Sequence, residues 1–272
     1  MQYVAERNGW TRFVGNNGTK FNAAEKERSF MKAGISLSLS LALSCSAVAQ
    51  GQKISVPPVF NIFELVIRQD KNNAYDSLAE KNITASVTGE PGTLAMYSAK
   101  KKTNPSVTYM YEIYADSDAY DKHLNSTSYK EFLRNSPDIL ETSQTRRIDV
   151  IPQFLADKKI VQNDSTINNF VIVDVKPELG QAFRHVVLPE MAQSIEREEG
   201  VLAMYAAIDK ANRNRWYFYE IYASENAYQA HRLTPHFKAY INQTAEMTTY
   251  KEAIDIKPGL LMNKGGMRYE NE

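Results

Sequence analysis

One segment of this chain occurs twice. GTLAMY, from Gly92 to Tyr97, returns as GVLAMY from Gly200 to Tyr205, and YEIYADSDAYDKH, from Tyr111 to His123, returns as YEIYASENAYQAH from Tyr219 to His231. The offset stays at 108 from Gly92 and Gly200 through to His123 and His231, across loops as well as elements. Chance similarity does not hold register through loops. A whole folded unit is therefore duplicated, and the architecture has to be built from two equivalent modules in tandem.

Each copy reads as β-α-β-β-α-β. Asn61 to Arg68 and Asn169 to Lys176 are β-branched and apolar runs suited to a first strand. In the second copy Phe183, Val186, Val187, Met191 and Ile195 recur at the three- and four-residue spacing of one helix face, and Tyr75, Leu78 and Ile83 echo them in the first. The third strand is VTYMYEIYA in one copy and RWYFYEIYA in the other, each preceded by turn signals at Asn104-Pro105 or Asn212 to Asn214. A second helical region starts near Ser117 and Ser224, taken as N-caps. In the second copy it restarts at Thr234-Pro235, with Thr as cap and Pro at the first helical position. Short last strands, Ile148 to Ile151 and Ile254 to Ile256, close the copies, and the polar stretch Asp157 to Ser165 links them. The modules then span residues 58–157 and 166–262.

Helices of such a unit cover one face of an antiparallel sheet. The strands are apolar on both, with Tyr109, Tyr111 and Ile113 alternating with Met110 and Tyr114, so an isolated copy would expose a large apolar patch. The prediction is an α+β protein in which two tandem ferredoxin-like βαββαβ domains pair within the chain as a dimeric α/β barrel. Each half should hold a cavity between sheet and helices. This intrachain pseudo-dimer leaves further oligomerisation open.

Composition fits a globular chain of 272 residues, 43% apolar and 24% charged, with room for two domains. Equal numbers of basic and acidic residues leave no basic face for nucleic acid. A single Cys excludes a disulfide framework, and the four His stand at no ligand spacing, so no metal is expected. From Met31 the chain reads as a secretory leader. Lys32 supplies the positive start, Gly34 to Leu43 the apolar stretch and Ala47-Val48-Ala49 the small-residue cleavage site. Residues 1–49 are therefore read as an N-terminal extension and signal peptide with the start at Met31, which implies a periplasmic or secreted protein. The apolar run is shorter than the roughly 20 residues of a membrane span. Lipoprotein anchoring at Cys45 is the lesser alternative.

EPGTLAMY, EEGVLAMY, YEIYASENAYQAH and above all AHRLTPHFKAY resemble the antibiotic-biosynthesis-monooxygenase (ABM) family, nearest its quinol-monooxygenase members. The resemblance covers roughly residues 58 to 155 and 166 to 260. Copy one departs from the TPHF element, with Ser126-Thr127-Ser128-Tyr129 where copy two has Thr234-Pro235-His236-Phe237, so the halves need not be equally active. The haem-degrading branch of this fold carries its iron-ligating His at positions occupied here by Leu133 and Ile241, so haem ligation in that manner is not expected.

The resemblance implies oxygenation of a small aromatic or quinol-type substrate by O2 without a cofactor. Such chemistry needs an apolar pocket, a base, and donors for the developing oxyanion. His123 and His231 are the first candidates for the base, because both copies keep a His after an Ala-Tyr pair and imidazole titrates near neutrality. The plain alternative is a core-edge His capping a backbone carbonyl. His236 reads as a local cap or surface residue, with lining the pocket as the lesser alternative. Glu112 and Glu220, mid-strand between aromatics, would orient a His or pair with Arg or Lys, since a buried carboxylate needs a partner. Tyr114, Tyr222, Trp216, Phe218 and Met110 share their strand parity and would floor a substrate pocket, unless Tyr109, Tyr111, Tyr217 and Tyr219 on the other face do so. Two functions follow from different classes: an exported monooxygenase, or a non-catalytic ligand-binding or dimerisation module of the same fold.

Overall fold

The computed structural model describes residues 56–271 and a short strand, β1 (Gln52–Lys53). The expected leader, with Met31 and Cys45, lies outside the described residues. Each copy opens with a strand, β2 (Val59–Val66) or β6 (Ile167–Val175), and a long helix, α1 (Asn72–Gly89) or α4 (Gly180–Arg197). A hairpin follows, β3 (Thr93–Lys101) with β4 (Val107–Tyr114) or β7 (Val201–Asp209) with β8 (Arg215–Tyr222).

The next helical region is broken in both copies, into α2 (Ser117–Asn125) and α3 (Thr127–Asn135), or α5 (Glu225–Leu233) and α6 (Pro235–Thr244). The break is capped on its far side. Ser126 Oγ accepts from the Tyr129 amide, and Thr234 Oγ1 from the Phe237 amide. Ser224 caps α5 as its sequence suggests, but α2 is capped by Asp116 rather than Ser117, its carboxylate accepting from the Ala119 amide at 2.7 Å.

The closing strands are longer than expected, and they change sheets. In β5 (Arg146–Asp157), Arg146 to Asp149 pair with β2 of their own half, and Val150 to Asp157 pair with β7 of the other. The second copy repeats the exchange, with β9 (Thr248–Ile254) on β6 and β10 (Ile256–Asn263) on β3, separated only by Asp255. Pro152 and Pro258 mark the turn from one sheet to the next. Both sit at register shifts, where a missing amide donor is tolerated and the strand bends. A proline inside an apolar run reads as a strand end in sequence, so the long exchanged strands looked short. The hydrogen-bonded order is β10-β3-β4-β2-β5-β7-β8-β6-β9, and the passage from β9 to β10 closes the ring. Beyond the repeat, β11 (Met267–Glu270) pairs antiparallel with β5 and parallel with β1.

The interior of the ring is built about a pseudo-twofold axis. Tyr97 and Tyr205 meet hydroxyl to hydroxyl at 2.8 Å, and Tyr111 stacks on Tyr219 with centroids 3.7 Å apart, each pair being a residue and its own repeat. Tyr205 donates to Asp157 at 2.7 Å, a carboxyl raised above its ordinary range by burial despite that bond. Helices α1 to α3 cover the outer face of the first half around Tyr75, Ile83 and Met110, and α4 to α6 cover the second around Phe183, Met191 and Phe218. Among the described residues no helix is long and apolar enough to cross a membrane.

The repeated glycines have a steric cause. A Cβ on Gly92 would lie 2.3 Å from the Ala119 Cβ, and one on Gly200 2.5 Å from that of Ala227. These loops pass against α2 and α5 at a distance only hydrogen permits. Gly92→Ala and Gly200→Ala are each expected to destabilise the protein by about 1–3 kcal/mol through overpacking, read as a lower urea midpoint. An unchanged midpoint would mean that the helices shift away freely.

Candidate active site

Alternation along β4 divides its side chains between two environments. Tyr109 and Tyr111 enter the ring interior, while Met110, Glu112 and Tyr114 turn outward beneath the helices, and β8 divides in the same way. Of the two faces the sequence left open, the helix side carries a cavity. In the first half a cavity of about 80 Å³ lies there, walled by Phe63, Ala79, Met110, Tyr120, Tyr129 and Phe132, with Glu112, Arg146 and Arg147 on its lining.

Glu112 is 7% exposed and accepts the Tyr114 hydroxyl at 2.9 Å. Burial pushes its carboxyl up, against the opposing pull of His123, the bond from Tyr114 and the Arg147 charge. The arginines are held by acids, Arg146 by Glu64 at 2.6 Å and Arg147 by Asp149 at 3.1 Å. His123 does not reach the cavity wall. Its ring is fully buried between Tyr114 and Tyr129, at centroid distances of 5.1 and 4.7 Å, with Nδ1 3.0 Å from Glu90 Oε2 and Nε2 without a hydrogen-bond partner. Partial burial works against it, but the Thr93 hydroxyl and His123 hold the Glu90 carboxyl below its ordinary range. Glu90 belongs to the EPG and EEG signatures present in both copies. What hid its role is separation, since it stands 33 positions before the His it orients.

The second half keeps this frame. Tyr222 donates to Glu220 at 2.9 Å, and His231 lies between Tyr222 and Phe237 with Nδ1 3.1 Å from Glu198. Its packing differs. Trp216 and Phe218 occupy the places of Thr108 and Met110, and their rings stand 5.3 and 6.4 Å from Phe183, which also meets Tyr240 at 6.3 Å. Both residues, expected to floor a pocket, are part of a packed aromatic cluster. Two polar positions also differ, Asn82 being replaced by Glu190 and Ser128 by His236. Glu190 is buried, accepts from Ser194 at 2.8 Å, and is pushed up to about 8 by burial. His236 is neither a cap nor a surface residue. Its Nε2 lies 2.7 Å from Glu198 Oε1, and Thr234 does the capping.

The family model for antibiotic biosynthesis monooxygenase matches residues 58–135 and again 168–243. The fold is similar to that of a candidate monooxygenase from Fusobacterium nucleatum, with 30% identity and a TM-score of 0.75 over 80% of this chain and 100% of that one. A candidate monooxygenase from Lactobacillus acidophilus is similar at 29% identity and a TM-score of 0.74, over 78% of this chain and 99% of that one. No curated protein matches significantly. The similarity runs over the whole, or nearly the whole, of both solved chains, and the chain belongs to the antibiotic biosynthesis monooxygenase family.

Proposed function

We propose that this protein is an oxygen-dependent monooxygenase acting on a small electron-rich aromatic of quinol type, and that the reaction takes place in the cavity of the first half. The observation that carries this reading is a buried carboxylate, Glu112, set in an aromatic-walled cavity with two arginines. Family membership supplies the reaction class. Its export to the periplasm belongs to the same proposal and rests on the leader alone.

Glu112, rather than the more deeply placed His123, takes the phenolic proton. The phenolate so formed is electron-rich enough to pass one electron to O2, and the resulting pair recombines as a ring hydroperoxide. Loss of water leaves a hydroxyquinone. One oxygen atom enters the ring, the other leaves as water, and the electrons all come from the quinol, so no external reductant is needed. Arg147 and Arg146 stabilise the oxyanion. His123, anchored by Glu90, biases the Glu112 carboxyl electrostatically.

Oxygen uptake with a panel of hydroquinones and naphthoquinols tests this directly. Turnover is expected above autoxidation, and Met110→Phe, which installs the residue of the second half in the cavity wall, is expected to remove most of it. Met110→Phe at full activity would place the chemistry elsewhere. No uptake above autoxidation with any of the panel would favour a binding module.

A further inference from the structure

We infer that the second half holds a binding site for a divalent transition-metal ion, formed by Glu190, His231 and His236. One ligand atom from each residue lies within 4.8 Å of the other two, and His231 Nε2 is 3.9 Å from Glu190 Oε1. Among the described residues this is the one such group of three. In a tetrahedral zinc site with ligand bonds of about 2.0–2.1 Å, donor atoms stand roughly 3.4 Å apart. The group therefore closes around an ion by side-chain movements of about an ångström. Two imidazoles and a carboxylate suit zinc and its first-row neighbours, and three protein ligands leave a coordination position open.

The surroundings support a metal site more than an incidental cluster. Glu190 and His231 are almost wholly buried, and His236 is 10% exposed at its side chain. Glu198 bonds both imidazoles, 3.1 Å from His231 Nδ1 and 2.7 Å from His236 Nε2. A carboxylate on the far nitrogen of His231 fixes the ring so that Nε2 faces Glu190, as outer-shell carboxylates do at metal sites. The helix break between α5 and α6 makes the convergence possible, because it brings residues five apart in sequence to one locus. The first half has the same break and the same supported His, yet Asn82 and Ser128 in place of the other two ligands. One site per chain is therefore required, and the repeat supplies its own control.

The test is a titration of the tag-free, chelator-stripped full chain with Co2+. One Co2+ per chain is expected, with ligand-field absorption in the visible that Zn2+ bleaches. Replacing the ligands by their counterparts, Glu190→Asn with His236→Ser, should abolish that absorption, and His123→Ala should leave it intact. Glu198→Gln should weaken binding roughly 10–100-fold. Far-UV circular dichroism checks that the double variant folds. If it does not, His236→Ser alone, at the least buried ligand, still has to lose the spectrum. Absence of visible absorption in the parent chain, a spectrum that survives ligand replacement, or one that depends on His123 would each overturn the assignment.

Discussion

Glu112→Gln is expected to lower oxygen-dependent turnover by roughly 10²- to 10⁴-fold, the range for removing a positioned general base. The amide oxygen of Gln still accepts the Tyr114 hydroxyl, so cavity shape and that bond persist while the proton acceptor is lost. The parent enzyme should show an acidic limb in its pH profile, because protonated Glu112 cannot accept a proton. Burial raises this carboxyl, which places the limb above the ordinary Glu value of about 4.3. The limb should vanish with the variant. Stability has the opposite sign. A carboxyl whose folded pKa exceeds its unfolded one favours folding while protonated, so that contribution is complete below about pH 4.3 and is lost as pH rises through the folded pKa. Glu112→Gln should therefore gain on the parent in urea midpoint as pH rises from about 4.3 through the raised folded pKa of Glu112. Activity within tenfold of the parent would move the base away from Glu112, with His123 next to test.

The duplication and the shared strand parity of Glu112, Tyr114, Glu220 and Tyr222 were legible in the sequence because both are local: the one is register, the other a period of two. Three things were not. The strand exchange was hidden by Pro152 and Pro258, which interrupt the apolar pattern where the barrel bends. The filling of the second cavity was hidden because Trp216 and Phe218 suit a pocket floor and a packed core equally well until Phe183 is seen against them. The convergence of Glu190, His231 and His236 was hidden because ligand spacing presumes one continuous helix, whereas here a capped break and a second helix assemble the group. Composition and periodicity locate surfaces. Which side chains meet across them depends on tertiary closure.

An isolated first half, residues 56–164, is expected to assemble as a homodimer. Within the full chain, Val150 to Asp157 pair along one edge with β7 of the other half, with Leu155 opposite Tyr205, while β11 takes only Phe154 to Ala156 on the other edge. Tyr205 is the repeat of Tyr97, so a second copy of the first half offers the same strand edge to the same partner. Twofold pairing would satisfy both exchanged strands and cover the faces bearing Tyr97, Tyr109 and Tyr111, which a monomer would leave to water. The alternative for a monomer is severe, since it must expose an open strand edge together with a face of tyrosines and aliphatics. Light scattering during size exclusion should give twice the chain mass at every concentration where the fragment is soluble. Leu155→Asp, which puts a charge on the exchanged strand facing the core, should leave the fragment unfolded rather than monomeric, because burying an unpaired carboxylate is costly. A folded, soluble monomer of the unmodified fragment would show that strand exchange is a consequence of tethering the two copies, and that one module can cover its own inner face.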